Sequence, residues 1–286
     1  MSYGMPAEPP QTDVPVCPRH PDRVSYVRCQ RCGRPACPEC QRTASVGIQC
    51  VDCVRETSRS TPQVRTVYGG AATMGRPVVT LTLIGICAVA YLLQWVIPGF
   101  TAQFLYAPLY TLPQLSGVPA EPWRMITSAF LHSPNFLLHI AFNLYALWIL
   151  GRHLEPLLGR LRFLALYLLS GFGGSVGVLL LSAPNIPVVG ASGAIFGLFG
   201  ALFIVQRQRG GEVRSLLILI GINAVLGFVV AGIAWQAHLG GLLVGALSAV
   251  VLAYAPRGKN RNLVQFTGLI AIFLVLVAVT ALKAFA

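Results

Sequence analysis

From Val78 onward the chain is a succession of long apolar runs separated by short connections, and those connections hold nearly all of the charge in that part of the sequence. Seven runs can be drawn: 78–97, 135–151, 161–182, 189–206, 215–233, 235–254 and 263–282. Each approaches the roughly 20 residues that a helix needs to cross a hydrocarbon core. Composition agrees. Charged residues make up 10% of the 286, against about a quarter in an ordinary soluble protein. Beyond residue 75 only Glu121, Glu155 and Glu212 carry a carboxylate. The segment 98–134 is apolar but studded with Pro and Gly, which predicts a structured loop or partly embedded hairpin rather than a continuous helix.

The net charge of +12 would suit a nucleic-acid partner, but outside the amino-terminal head the basic residues fall in short loops. Arg76 precedes the first run; Arg152, Arg160 and Arg162 follow the second; Arg207, Arg209 and Arg214 the fourth; Arg257, Lys259 and Arg261 the sixth. The opposite connections carry Arg124 and, after runs three and five, no Lys or Arg. Lys/Arg excess marks the cytoplasmic face. The expected topology is multi-pass in a cell (inner) membrane, amino terminus cytoplasmic and carboxyl terminus outside.

Ahead of the first run, residues 1–16 are Pro-rich and expected to be a disordered tail, and 54–76 to be a flexible linker. Because no long apolar run precedes Val78, no signal peptide is expected. Residues 17–53 hold seven of the eight cysteines; the eighth, Cys87, lies in an apolar run. Four pairs, each enclosing two residues, supply Cys17, His20, Cys29, Cys32, Cys37, Cys40, Cys50 and Cys53. Eight soft ligands suit two tetrahedral zinc ions with no open position, hence structural zinc. A cytoplasmic setting disfavours disulfides; iron–sulfur or redox use is the other reading. The spacing resembles B-box and related treble-clef modules. That resemblance implies Cys17, His20, Cys37 and Cys40 on one ion and Cys29, Cys32, Cys50 and Cys53 on the other. The head also carries Arg19, Arg23, Arg28, Arg31 and Arg34, which fit anionic lipid or plain solvation as well as nucleic acid. Nucleic acid is not the expected partner; a cytoplasmic protein is.

Four polar side chains stand at membrane depth: His139 and Asn143 in the second run, Ser192 in the fourth and His238 in the sixth. Such residues are costly in lipid and face a bundle interior or water. All three runs point the same way, so the four share the outer third of the membrane; His139 and Asn143, four apart, share a helix face. Gly193/Gly197 and Gly241/Gly245 are GxxxG pairs, which permit close helix approach. Packing alone is one reading of them. The other is that they bring Ser192 near His238, a nucleophile and its general base. The backbone amides at Ser192, the Asn143 amide and the His139 ring could then surround an oxyanion. With no Asp after residue 52, a dyad is expected rather than a triad.

These pieces closely resemble the rhomboid intramembrane serine proteases: Trp123-Arg124, His139-x-x-x-Asn143, GASG around Ser192, and AHLGGLLVG from Ala237 to Gly245. The resemblance covers about residues 77–255. It implies an all-α polytopic membrane protein with a six-helix core, a seventh helix added in 256–286, and a small cytoplasmic zinc-binding domain in front. It implies a serine endopeptidase with Ser192 as nucleophile, His238 as base, and His139 and Asn143 at the oxyanion. It also implies single-span membrane proteins as substrates, cut near the outer face, and no cofactor for catalysis. Glu155 looks like the family's structural glutamate, bracing the first loop. Phe196 stands where many members have Tyr. The competing reading is a non-catalytic membrane adaptor that binds partners through the zinc module; a transporter is a weaker third, since charged residues for ion coupling are almost absent.

Overall fold

The computed structural model describes residues 14–60, 64–72, 75–117, 119–229 and 232–285; most of the tail expected over 1–16 lies outside the described residues. The chain divides into two compact units, Met1–Gln63 and Val64–Ala286.

The first unit is a small α+β module. Strands β1 (Val16–Cys17) and β2 (His20–Val24) pair antiparallel, as do β3 (Gln41–Thr43) and β4 (Ile48–Cys50), and helix α1 (Val51–Ser60) follows. Its buried core consists of Cys17, Cys29, Ala36, Cys37, Cys40, Cys50 and Cys53. A core of six thiols and one methyl group buries too little apolar area to offset chain entropy.

The second unit is helical. Helix α2 (Val78–Val96) leads into a long connection containing the short helices α3 (Phe100–Phe104), α4 (Pro113–Ser116) and α5 (Arg124–Thr127). Then come α6 (Leu137–Leu158), α7 (Arg160–Leu181), α8 (Ser192–Gln208), α9 (Arg214–Val229), α10 (Trp235–Tyr254) and α11 (Arg261–Phe285). Helices thus occupy all seven apolar runs. Four of them, α2, α7, α10 and α11, are long and apolar enough to cross a membrane. This is a multi-span membrane protein.

Helix α6 runs seven residues beyond the apolar run that ends at 151, through Leu158. The extension carries Glu155, which is fully buried. Its carboxylate accepts hydrogen bonds from the Val79 N–H (3.0 Å), the Thr80 N–H (2.8 Å) and the Thr80 hydroxyl (2.8 Å). Glu155 therefore caps the orphan amides of the first turn of α2, and does not brace the first loop. That loop is held by Arg124, 8% exposed, which pairs with Glu121, donates to Ala102 O (2.6 Å) and Leu105 O (3.2 Å), and stacks over Tyr110. Gln94 adds reciprocal bonds to the His132 backbone, and Tyr106 pairs with Val188. The segment 98–134 is the structured connection expected.

Residues 64–72, inside the expected linker, form a tight hairpin with a bridge between Arg65 and Ala71. Tyr68 at its tip is buried, donates to Gln208 Oε1 (2.9 Å), and its carbonyl accepts from Gln265 Nε2 (3.0 Å). A flexible linker over all of 54–76 is not what the described residues form. Part of it is helix α1, and part is this hairpin, lodged where Leu158, Gln208, Leu252 and Gln265 meet.

Helix α10 has its most extensive contacts with α8 and α7. Glycines line the seam. A Cβ on Gly241 would run into the Gly193 carbonyl, one on Gly245 into the Gly197 backbone, and one on Gly240 into the Gly173 carbonyl. Backbone here meets backbone, which only residues without a side chain permit.

Candidate active site and metal-binding module

Ser192 is the first residue of α8, and it follows Gly190 at φ +132° and the buried Ala191. The Gly190 N–H donates to Ser128 O (3.0 Å), which fixes the approach to the helix. A Cβ on Gly190 would lie 2.9 Å from His139 Nε2 and 3.7 Å from Ser192 Oγ. Both demands, positive φ and close approach, select glycine. They also set the His139 ring and the Ser192 hydroxyl on the same glycine.

His139 Nδ1 accepts the Ser133 N–H (3.1 Å). In a neutral imidazole the other nitrogen then carries the hydrogen, so Nε2–H is a donor facing Gly190. Asn143, buried one turn on, donates from Nδ2 to the His139 carbonyl (2.7 Å), and its Oδ1 has no partner among the described residues.

His238 lies in the first turn of α10, with its ring stacked on Phe196 at 4.1 Å between centroids and 7° between planes. Phe196 is one turn after Ser192, so the helix that bears the hydroxyl also carries the platform under the imidazole. Gly227 of α9 approaches the other side; a Cβ there would be 3.6 Å from His238 Nδ1. That Nδ1 is buried, and no carboxylate or other acceptor bonds it among the described residues. Ser192, His238, His139 and Asn143 therefore all sit in the amino-terminal parts of α8, α10 and α6, with Leu158, Gln208 and Leu252 at or near the opposite ends of those helices.

Residues 119–255, which include all four, match the rhomboid domain family. Rhomboid family membership is well supported. Over 158 residues the chain is 37% identical to rhomboid protease GluP of Bacillus subtilis (strain 168), covering 53% of this chain and 30% of that one. It is 35% identical over 159 residues to RHOMBOID-like protein 6, mitochondrial, of Arabidopsis thaliana (51% and 50% covered). To rhomboid protease GlpG of Yersinia pestis (strain Pestoides F) it is 31% identical over 180 residues (59% and 61%). The chain thus spans less than two thirds of the length of each of these relatives. The rhomboid match leaves out α2, the Tyr68 hairpin, α11 and the cysteine module.

Within the rhomboid domain, sequence reasoning overlooked His132. It is fully buried, its ring is 5.3 Å from that of His139, and neither ring nitrogen has a hydrogen-bond partner among the described residues. A polar side chain placed seven residues before His139 in an apolar stretch was the available signal. It also overlooked the glycines of α7: Gly173, Gly174 and Gly177 meet Val244, Ala237 O and Gln236 O of α10. The string GFGGSVG announces that contact surface.

In the first unit the eight cysteine and histidine ligands form the two expected groups, Cys17, His20, Cys37, Cys40 and Cys29, Cys32, Cys50, Cys53, with ligand atoms in each group within 4.8 Å of one another. Either group can hold a metal ion. The spacing tests the fit. Sulfurs about 2.3 Å from a tetrahedral centre stand about 3.8 Å apart, and Cys32 Sγ and Cys50 Sγ are 3.8 Å apart. His20 presents Nδ1 to Cys37 (3.2 Å), Cys40 (3.4 Å) and Cys17 (3.9 Å). Backbone amides of Cys50 and Cys53 donate to Cys29 Sγ and Cys50 Sγ, as thiolates require. The outer nitrogen of His20 faces Glu39 at 3.8 Å, and Arg23, hydrogen-bonded to Glu39, holds that carboxyl below its usual range. An ionised carboxylate behind a ligating imidazole is a common support for a metal centre.

Proposed function

We propose that the chain is an intramembrane serine endopeptidase of the rhomboid type, using a Ser192–His238 dyad. The observation that carries this reading is the stack of His238 on Phe196, one turn from Ser192, across a glycine seam that holds α8 and α10 backbone to backbone. In the proposed reaction His238 Nε2 takes the Ser192 proton as Oγ attacks the scissile carbonyl, then returns it to the leaving amine. Water, activated by the same imidazole, releases the acyl group. His139 Nε2–H and the amides at the start of α8 stabilise the oxyanion; Asn143 orders His139 and offers its second N–H. Because no acceptor among the described residues holds His238 Nδ1, the Phe196 ring orients the base.

The substrates are single-span membrane proteins, cut near the outer face where a water-filled opening reaches the ends of α6, α8 and α10. The seven long helices all cross the bilayer, six forming the core over 77–255 and α11 the addition over 256–286. Arginine-rich connections place the amino terminus and the zinc module (17–53) in the cytoplasm. Two structural zinc ions complete that module, and a cytoplasmic protein is its partner.

The test is cleavage of tagged single-span proteins by the full chain in liposomes, beside Ser192→Ala and His238→Ala. Cleavage by the wild type alone supports the dyad. Cleavage that survives both substitutions overturns it. Absence of cleavage together with no labelling of Ser192 by a fluorophosphonate, in protein shown to be folded, favours the adaptor reading.

A further inference from the structure

The end of the bundle opposite the candidate active site gathers arginines that no side-chain carboxylate of the same unit balances among the described residues. Arg162 is 5% exposed and, among the described residues, donates to two neutral oxygens, Gln265 Oε1 and Asn262 Oδ1, both at 2.8 Å. Arg261 lies beside it: a Cβ on Gly69, at φ +85°, would be 3.3 Å from Arg261 Cδ and 3.7 Å from Arg162 Nη2. The Arg261 side chain packs against the hairpin glycine, which sets the two guanidinium side chains beside one another. Arg65 is close enough to repel Arg162, Arg257 to repel Arg261, and Arg209 joins Arg261 around Tyr68. The Nε of Arg261 is buried without a hydrogen-bond partner among the described residues.

Within the unit that holds it, no carboxylate is left over to neutralise this cluster among the described residues. The unit has three glutamates and no aspartate. Glu121 pairs with Arg124, Glu155 caps α2, and Glu212 accepts from the Arg214 N–H. Like charges brought together in a partly buried setting repel strongly unless an anion joins them. Guanidinium forks match the tetrahedral oxygens of phosphate. The cluster lies at the first turns of α7 and α11, both long enough to span, which sets it at headgroup depth.

We propose that Arg65, Arg162, Arg257 and Arg261, gathered beside the Tyr68 hairpin, bind the phosphate group of an anionic phospholipid. The proposal rests on α7 and α11 crossing the bilayer, and is independent of the protease reading. A bound lipid phosphate would pin the Tyr68 hairpin, and with it the carboxyl end of the Ser192 helix through Gln208, to the membrane surface.

The full chain in detergent would be titrated with phosphatidylglycerol, phosphatidylcholine or inorganic phosphate, following the thermal midpoint and lipid retention by native mass spectrometry. Phosphatidylglycerol is expected to raise the midpoint and remain bound, and phosphatidylcholine to do neither. The double variant Arg65→Gln/Arg257→Gln, which leaves the buried Arg162 network untouched, should weaken the response about tenfold, the size of one lost charge-assisted hydrogen bond. Arg261→Lys should weaken it as well, whereas Arg152→Gln, which stacks on Trp148 elsewhere, should leave it unchanged. Equal stabilisation by both lipids, or an undiminished response in the cluster variants, overturns the site. A response to inorganic phosphate alone, with the same arginine dependence, overturns the lipid as its source.

Discussion

Ser192 and His238 stand in the first turns of their helices, and among the described residues no carboxylate pairs with His238. Their reactivity, on the reading above, comes from placement. Ser192→Ala should lower kcat/KM by at least about a thousandfold, since loss of a nucleophile leaves only binding and oxyanion stabilisation. His139→Ala is expected to cost about 10²–10³ in kcat with little change in KM, the signature of an oxyanion donor. Steady-state kinetics on one cleaved substrate separates the two parameters. For Phe196 the aromatic face matters, not a hydroxyl. Phe196→Tyr should keep activity, whereas Phe196→Leu should lower kcat and cost about 1 kcal/mol of stability; equal kinetics for the leucine variant would rule out the ring as the platform for the base. These residues were legible in the sequence because buried polar groups are expensive in lipid and so stand out. His132 was missed because it lies outside the apolar runs, in the connection 98–134, where a polar residue stands out less. Its burial depends on the folding of 98–134.

At the scale of elements, the glycine seam and the Glu155 cap decide how the helices meet. Gly241→Val or Gly245→Val would drive a side chain into the backbone of α8, and should abolish the folded unit, read as loss of a cooperative thermal transition. Gly221 of α9 has open space around its Cα, so Gly221→Ala should be neutral or gain up to about 1 kcal/mol from helix propensity. Glu155→Ala should destabilise by about 1–3 kcal/mol by orphaning buried donors of α2, with Glu155→Gln recovering part. The seven apolar runs were visible from hydropathy alone. The end of α6 was not, because Arg152, His153 and Glu155 read as loop until Thr80 is seen to receive the carboxylate.

In the whole molecule, two units differ in what holds them. The first has a core of thiols and, on the reading above, depends on metal; the second has a continuous apolar core of its own. Treatment with a strong chelator should therefore abolish the circular dichroism and protease resistance of residues 14–60 and leave the thermal transition of residues 64–285 in place. A chelator-resistant module would exclude a structural metal. The sequence by itself determined that the chain spans a membrane, where its helices lie, which eight residues can hold metal, and which four polar residues gather at one end. Those follow from the cost of polar groups in lipid and from ligand chemistry, both local properties of the chain. Only the tertiary structure decided the partner of Glu155, the tautomer of His139, the lodging of the Tyr68 hairpin and the unbalanced arginines beside it. Each of these depends on groups tens to hundreds of residues apart, or on hydrogen bonds to backbone, and no spacing pattern encodes which backbone atoms will come within reach.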